Sequence, residues 1–369
     1  MINTKDFFDY LIQIKLDFFA GVPDSLLKNL CACINDNCDA NRNIISANEG
    51  NAIAIACGYH LATQKFGVVY MQNSGLGNAI NPLVSLADED VYQIPLLMLI
   101  GWRGEPDIPD EPQHKKQGKI TLDLLHTMGI KTVILDDDYE QKLQYCVDYM
   151  TIHKKPIAII IRKNTFSEYK YPVPPSDYTL QREQALEIIT KSITADDIIV
   201  STTGKTSREL FEIREKNNLS HSNDFLCVGS MGHTSSVALG ISLFTEKRVF
   251  CIDGDGAFIM HMGSAAVNAH NIPDNYRYII INNGAHESVG GQSTVGFKIN
   301  IPDILRNCGF ENVCTAKCQE EIISGMQFLN THKKSAMVIY TKQGSRKNLG
   351  RPTQSPLQNK KSFMEKLNK

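Results

Sequence analysis

Short apolar runs recur along this chain, separated by stretches whose hydrophobic positions follow a helical period. "PLLMLIGW" (95–102) and "PIAIIIRK" (156–163) are too continuous for a half-exposed sheet and read as parallel strands buried on both faces. Upstream of them the pattern predicts a helix from Thr4 to Lys15, a strand and turn at "DFFAGVP", and a helix through "DSLLKNLCACI". A strand at "NIISA", a helix at "EGNAIAIACGYHLATQ", a strand at "FGVVYMQ" and a helix at "GNAINPLVSLADEDVY" follow. The alternation of strand and helix is the signature of an α/β layer structure with a parallel sheet.

"YKYPVPPSDYTL" (169–180) breaks the alternation with Pro172, Pro174 and Pro175 and reads as an interdomain linker. The pattern then restarts. It predicts a helix near 181–193, a strand at "DDIIVSTTG", a helix from Ser207, a strand at "DFLCVG" and a helix at "SSVALGISLF". Strands at "RVFCID" and "YRYIIINN" flank a helix expected from Ala257 onward, and "SAMVIYT" forms a late strand. The fold class expected is therefore α/β, with two doubly wound parallel-sheet domains over 1–170 and 181–369, joined by a linker at 171–180. After Thr341 the chain turns polar and reads as a solvated tail ending in a short surface helix. Its first part, with Arg346 and Arg351 among glycines, could equally be an anion-binding loop.

Composition narrows the function classes. The length, 369 residues, suits two domains, and 42% hydrophobic with 21% charged residues is ordinary for a globular protein. A formal net charge of −2 gives no pull toward nucleic acid or anionic membrane, and no nucleic-acid module signature is present. The N-terminus carries scattered charges rather than a signal sequence, and no run reaches the roughly 18 apolar residues of a membrane span. A cytoplasmic location is expected. Cys31, Cys33 and Cys38, or Cys308, Cys314 and Cys318, contain no CxxC pair and are read as buried free thiols.

Two nucleotide motifs fail on inspection. Gly204-Lys205-Thr206 suggests a phosphate loop, but that loop needs a glycine at 199, where Ile stands. The dinucleotide fingerprint fails at Ile259 after Gly254 and Gly256, and at Ile80 after Gly75 and Gly77. What survives is "VFCIDGDGAFIM" (249–260) together with "IIINNGAHESVGGQ". Asp255 ends one strand, and Asn282 and Asn283 end the next at the same sheet edge, where open α/β sheets bind ligands. The Asp255 carboxylate, the Asn283 amide oxygen and a nearby main-chain carbonyl make three hard oxygen ligands. That is an incomplete shell for Mg²⁺, of the kind a diphosphate completes.

GDG followed by just under thirty residues and then NN resembles the thiamine diphosphate motif of the 2-oxo acid decarboxylase superfamily. "GVPDSLL", "ANEGNAIAIACGYHLAT" and "QNSGLGNAINPL" are similar to its pyrimidine-binding domain, and "VGSMGHTSSVALG" with GDG and NN to its diphosphate-binding domain. "DEPQHKKQGK", "NNGAHESVGGQ" and "GSRKNLGRPT" have the character of the branch that decarboxylates phosphonopyruvate. The sulfopyruvate branch, with the same two-domain layout and no third domain, is the runner-up. A non-catalytic thiamine diphosphate-binding protein and a nicotinamide dehydrogenase are the other readings.

The resemblance implies thiamine diphosphate and Mg²⁺ as cofactors, with Asp255, Asn283 and the Ala285 carbonyl on the metal and the Gly256 and Ala257 amides on the diphosphate. It implies that the Gly229 carbonyl and Met231 hold the pyrimidine from one side. On its residues alone, Glu49 reads as a helix-start acid favoured by the macrodipole. The resemblance makes it the glutamate that hydrogen-bonds the aminopyrimidine and promotes deprotonation of the thiazolium. Asp24 and His114 are candidates for proton transfer, or for capping and positioning. His286 could meet the substrate carboxylate or phosphonate. Arg103, Lys115, Arg346 and Arg351 are possible phosphonate partners, each also readable as an ordinary surface charge. His261 and His270 are read as structural. Because Glu49 and Asp255 fall in different domains, the resemblance implies a homodimer or larger with active sites between subunits.

Overall fold

The computed structural model describes residues 1–170 and 175–368. The chain divides into two compact units, Met1–Val173 with Val289–Gln292, and Pro174–Ser288 with Ser293–Lys369. Residues 171–174 of the expected linker lie outside the described residues. At the linker's end Leu180 is buried, and its carbonyl accepts the Lys342 N–H at 2.9 Å.

The first unit runs α1 (Thr4–Gln13), β1 (Phe19–Gly21), α2 (Lys28–Asn37), β2 (Asn43–Ile45), α3 (Glu49–Thr63) and β3 (Gly67–Gln72). It continues with α4 (Leu76–Leu83), β4 (Leu96–Gly101), α5 (Pro112–Thr127), β5 (Lys131–Ile134), α6 (Tyr139–His153) and β6 (Ile157–Ile161). The second unit opens with α7 (Arg182–Ser192), β7 (Ile198–Ser201), α8 (Lys205–Lys216), β8 (Asp224–Leu226), α9 (Thr234–Ser242) and β9 (Val249–Gly254). Then come α10 (Asp255–Met260), α11 (Ser264–Asn271), β10 (Tyr276–Asn282) and α12 (Ile301–Cys308). β11 (Asn312–Ala316), α13 (Gln319–Thr331), β12 (Ser335–Tyr340) and α14 (Pro356–Leu367) complete it.

The sheets have the orders β2-β1-β3-β4-β6-β5 and β11-β12-β10-β9-β7-β8. Read from the β8 edge, the second repeats the first strand for strand, so the duplication lies in topology. Neighbouring strands pair in parallel throughout both sheets. Burial on both faces explains the continuous apolar runs. In β4, Leu97 and Leu99 enter one core cluster while Leu96, Met98 and Ile100 enter the other. In β10, Ile279 and Ile281 face one cluster and Tyr276, Tyr278 and Ile280 the opposite one.

Several expected boundaries move. The helix expected over "GNAINPLVSLADEDVY" stops at Leu83, because Asp88 competes for the chain. Its carboxylate accepts the Asp90 N–H at 2.9 Å and its carbonyl accepts the Val91 and Gln93 N–H groups. The helix expected through "DSLLKNLCACI" starts only at Lys28, since Asp24 takes the Leu26 N–H at 3.0 Å into a turn. The helix placed from Ala257 starts two residues earlier, at Asp255. α5, β5, α6, α12, β11 and α13 went unassigned by the sequence pattern. The C-terminal helix is no solvated appendage. Asn359 on α14 is buried, accepts the Leu226 N–H at 3.1 Å and donates to the Asp224 carbonyl at 2.8 Å, covering the β8 edge.

Candidate functional site

In both sheets strand order reverses between the first and third strands of the unit, and the crevice outside those strand ends is the usual ligand position. In the second unit that crevice lies between β7 and β9, and the candidate residues follow β9 and, one strand further in, β10. Gly254 caps α10, so Asp255 enters as its first residue with its carboxylate buried at the sheet edge. The Asn283 N–H donates to Asp255 Oδ1 at 3.3 Å, and the Thr294 hydroxyl donates to Oδ2. No cation pairs with this carboxylate among the described residues, and burial pushes its pKa up to about 6.

Asn282 and Asn283 point to different tasks. Asn282 donates to the Gly296 carbonyl at 2.7 Å and accepts the Gly284 N–H at 3.0 Å, pinning the returning loop. That loop is closed by an Ala285–Ser293 bridge and by the Thr294 N–H on the Gly284 carbonyl at 2.8 Å. A Cβ at Gly296 would lie 2.6 Å from both Asn282 Oδ1 and Asp255 Oδ2, so the approach requires glycine. The Asn283 side chain accepts the Ala285 N–H at 3.1 Å and donates to Glu287 at 2.8 Å.

These residues fit a divalent cation held jointly with a diphosphate. Among the described residues no cluster of three or more His, Cys, Asp or Glu side chains could hold a metal alone. What the β9–β10 edge offers is one buried carboxylate, an amide oxygen and loop carbonyls. They are hard donors suited to Mg²⁺, and a buried carboxylate lacking a cation is the group such an ion would neutralise.

Two more segments close on the same edge. A Cβ at Gly256 would meet His286 Nδ1 at 3.2 Å and Met231 Cε at 3.4 Å, so both side chains lie over the start of α10 and the Ala257 turn. Burial lowers the His286 pKa to about 4, which leaves the ring neutral at neutral pH. Gly229 takes φ +74°, and its N–H donates to Thr203 Oγ1 at 3.1 Å, tying the Met231 loop to the exit of β7.

In the first unit, Asn48 caps α3 by accepting the Asn51 N–H at 3.0 Å, which makes Glu49 the first helical residue. Its carboxyl is buried. Burial raises its pKa, opposed by the Asn78 amide donating to Oε2 at 2.7 Å. A Cβ at Gly75 would fall 2.2 Å from Glu49 Oε1. The exit of β3 thus holds Glu49 at one end and Asp24 at the other, where Gln72 donates to Asp24 Oδ1 at 2.5 Å. Asp24 is fully buried, and burial raises its pKa against Gln72, Leu26 and the nearby Arg103.

Arg103 donates through Nε to Asp110 at 2.8 Å and through Nη1 to Ser25 at 2.7 Å. His114, in the first turn of α5, is buried with Nδ1 unpartnered. Burial and then the Arg103 charge lower its pKa to about 4. Lys115 and Arg351 are exposed. Arg346 is drawn onto α7 and α8, donating to Glu183 at 2.8 Å and pairing with Glu212. The sequence reading missed Asn78, Gln72, Thr294 and Glu287. Only Glu287, four residues beyond Asn283 in the same run, left any local signal.

Comparison with known proteins gives the family of both halves of the chain. Residues 3–133 match the N-terminal TPP binding domain of thiamine pyrophosphate enzymes, and residues 202–339 match the C-terminal TPP binding domain. A phosphonopyruvate decarboxylase of Streptomyces hygroscopicus is 31% identical, covering 99% of this chain and 94% of its own. Another from Streptomyces viridochromogenes is 30% identical, covering 98% and 94%. A sulfopyruvate decarboxylase of Methanosarcina acetivorans is 26% identical, covering 96% and 95%.

Proposed function

This chain belongs to the thiamine pyrophosphate enzymes, and on that premise we propose that it decarboxylates 3-phosphonopyruvate to phosphonoacetaldehyde and CO₂. The step serves phosphonate biosynthesis toward 2-aminoethylphosphonate and related compounds. The observation that carries the reading is the buried Asp255 carboxylate, paired with no cationic side chain among the described residues, beside the Asn283 N–H. The near full-length likeness to phosphonopyruvate decarboxylases supports the choice of substrate.

When bound, thiamine diphosphate supplies the electron sink for the pair left by departing CO₂. Asp255, Asn283 and the Ala285 carbonyl hold Mg²⁺, while the Gly256 and Ala257 amides bind diphosphate oxygens. The Gly229 carbonyl and Met231 orient the pyrimidine. Glu49 holds and releases a proton at Oε1, the oxygen that Asn78 leaves open. A carboxyl raised by burial exchanges a proton nearer neutrality than a solvated one.

For the doubly anionic substrate, Arg103, Lys115 and Arg351 are the cations proposed for the phosphonate. Of these Arg103 is held by Asp110 and Ser25, and Arg346, the fourth cation proposed, by Glu183 and Glu212. His286 orients the carboxylate, and Asp24 or His114 moves the proton that replaces CO₂. Residues 1–170 form the pyrimidine-binding domain and 181–369 the diphosphate-binding domain. The working assembly is a homodimer or larger, with active sites between subunits. No helix among the described residues is long and apolar enough to cross a membrane, and we place the protein in the cytoplasm.

The second reading, sulfopyruvate decarboxylation, is favoured by the 26% identical relative. A coupled aldehyde assay across pyruvate, sulfopyruvate and phosphonopyruvate separates the two. Aldehyde should form from phosphonopyruvate, and only when thiamine diphosphate and Mg²⁺ are both present. Faster turnover of sulfopyruvate would move the assignment to the second reading, and no CO₂ from any substrate would end both.

A further inference from the structure

We infer that Glu287 is a positioning residue for the divalent-cation site. Held in a buried, charge-balanced tetrad with Arg182, Glu209 and Lys205, it fixes which end of the Asn283 amide faces the ion. Arg182 donates from Nε and Nη2 to the two Glu209 oxygens at 2.7 Å each, and from Nη1 to Glu287 Oε2 at 2.8 Å. Lys205 Nζ donates to Glu287 Oε1 at 3.0 Å. Glu287 Oε2 then accepts the Asn283 Nδ2–H at 2.8 Å. The Arg182, Glu209 and Glu287 side chains are 6%, 1% and 10% exposed, so these bonds form largely out of water.

The argument rests on donor chemistry. The two ends of an asparagine amide have the same shape, and packing alone cannot tell the oxygen from the nitrogen. An ionised carboxylate only accepts, so it binds Nδ2 and repels Oδ1. Arg182 and Lys205 each donate to one of the Glu287 oxygens, so the carboxyl is met by cationic donors on both sides and serves as an acceptor. With Nδ2 committed to Glu287, Oδ1, which also accepts the Ala285 N–H at 3.1 Å, keeps a second lone pair for the cation. Two acids and two bases cancel within the tetrad, so no excess positive charge stands beside the ion. Gly204, at φ +95°, belongs to the same device. A Cβ there would lie 2.8 Å from Ser288 Oγ, so glycine lets the start of α8 bring Lys205 against the Glu287 loop. The Gly-Lys-Thr run that fails as a phosphate loop serves here as a clamp.

This inference rests on the proposed cation role of Asp255 and Asn283. It is tested by calorimetric titration of the thiamine diphosphate-loaded protein with Mg²⁺. Glu287→Gln keeps the shape but can face Asn283 with either a donor or an acceptor, and it leaves Arg182 and Lys205 undercompensated. Its Kd for Mg²⁺ should rise about 10- to 100-fold, the range for lost partners of metal ligands. Lys205→Met, which removes a partly exposed clamp, should raise it about 2- to 5-fold. The double variant Asn283→Asp with Glu287→Gln restores the bond with its polarity reversed, and should bind Mg²⁺ more tightly than Asn283→Asp alone.

A folded Glu287→Gln protein with a Kd within twofold of the parent overturns the inference. If the buried variants do not fold, an unchanged Kd in Lys205→Met overturns it. Asp255→Ala keeps the two readings apart. If that variant still binds Mg²⁺ normally, the cation site itself has been misplaced. If it loses binding while Glu287→Gln keeps it, only the positioning role fails.

Discussion

Two sheets with one strand order carry buried acids that are treated differently. At the exit of β1, Asp24 receives the Gln72 amide at 2.5 Å and the Leu26 N–H at 3.0 Å, within the field of Arg103. At the exit of β9, Asp255 is met by backbone N–H groups and the Thr294 hydroxyl and by no cationic side chain among the described residues, with Asn283 and a glycine-lined loop beside it. The first tip is complete as folded. The second is an acid without a counter-charge among the described residues, which costs stability unless an ion arrives. Topology sets where both acids lie, and side-chain partners decide which edge is left open for a ligand.

The largest expected effect breaks the second tip. Asp255→Asn should abolish Mg²⁺-dependent stabilisation by thiamine diphosphate, and turnover with it. In metal-free buffer the same variant should melt higher than the parent, because a desolvated carboxylate has been removed. Scanning calorimetry with and without Mg²⁺ checks both signs, and a lower metal-free Tm would remove the contrast with Asp24.

Next in size, Glu49→Gln should retain cofactor affinity yet lower turnover about 10²- to 10⁴-fold, the range for a lost proton-transfer group. Fluorescence titration beside steady-state rates tests it, and unchanged turnover would refute the role. Glycines sharpen the comparison further. Gly101→Ala puts a Cβ 2.1 Å from Asp24 Oδ2 and should destabilise the protein by about 1–3 kcal/mol. Gly254→Ala meets nothing within 4 Å in an extended conformation and should leave stability nearly unchanged.

The smallest effect is on pH dependence. Burial holds the His114 pKa down to about 4, whereas a free imidazole titrates near 6.5. Between these values the unfolded chain binds the extra proton. The stability tied to neutral His114 is therefore whole above about pH 6.5 and fades as pH falls toward 4. Melting temperature against pH should fall less steeply for His114→Gln across that window, and parallel curves would contradict the assignment.

Legibility followed the range of the interactions. The central strands were readable because two-sided burial writes an unbroken apolar run, as in β4 and β6. Asp255 and Asn283 were readable as a pair because adjacent parallel strands must end at one edge. Two of the edge strands, β5 and β11, were not, being partly exposed and lacking that run, while the edge strands β2 and β8 were. Asn78 on Glu49, Thr294 on Asp255 and Arg182 on Glu287 join residues 29, 39 and 105 positions apart, with no periodicity to mark them. Arg346 shows the converse. Its glycine-rich setting suggested an open anion loop, and two glutamates from α7 and α8 claim it.

The amino-acid order by itself determined the two parallel sheets and the meeting of Asp255 with Asn283. These follow from periodicity and from the shared edge of neighbouring strands. Only the tertiary structure decided that Asp24 is already bonded, that Arg346 is engaged, and which way the Asn283 amide is turned. Those outcomes depend on donors and acceptors brought from distant parts of the chain, and a linear pattern carries no record of which of them meet.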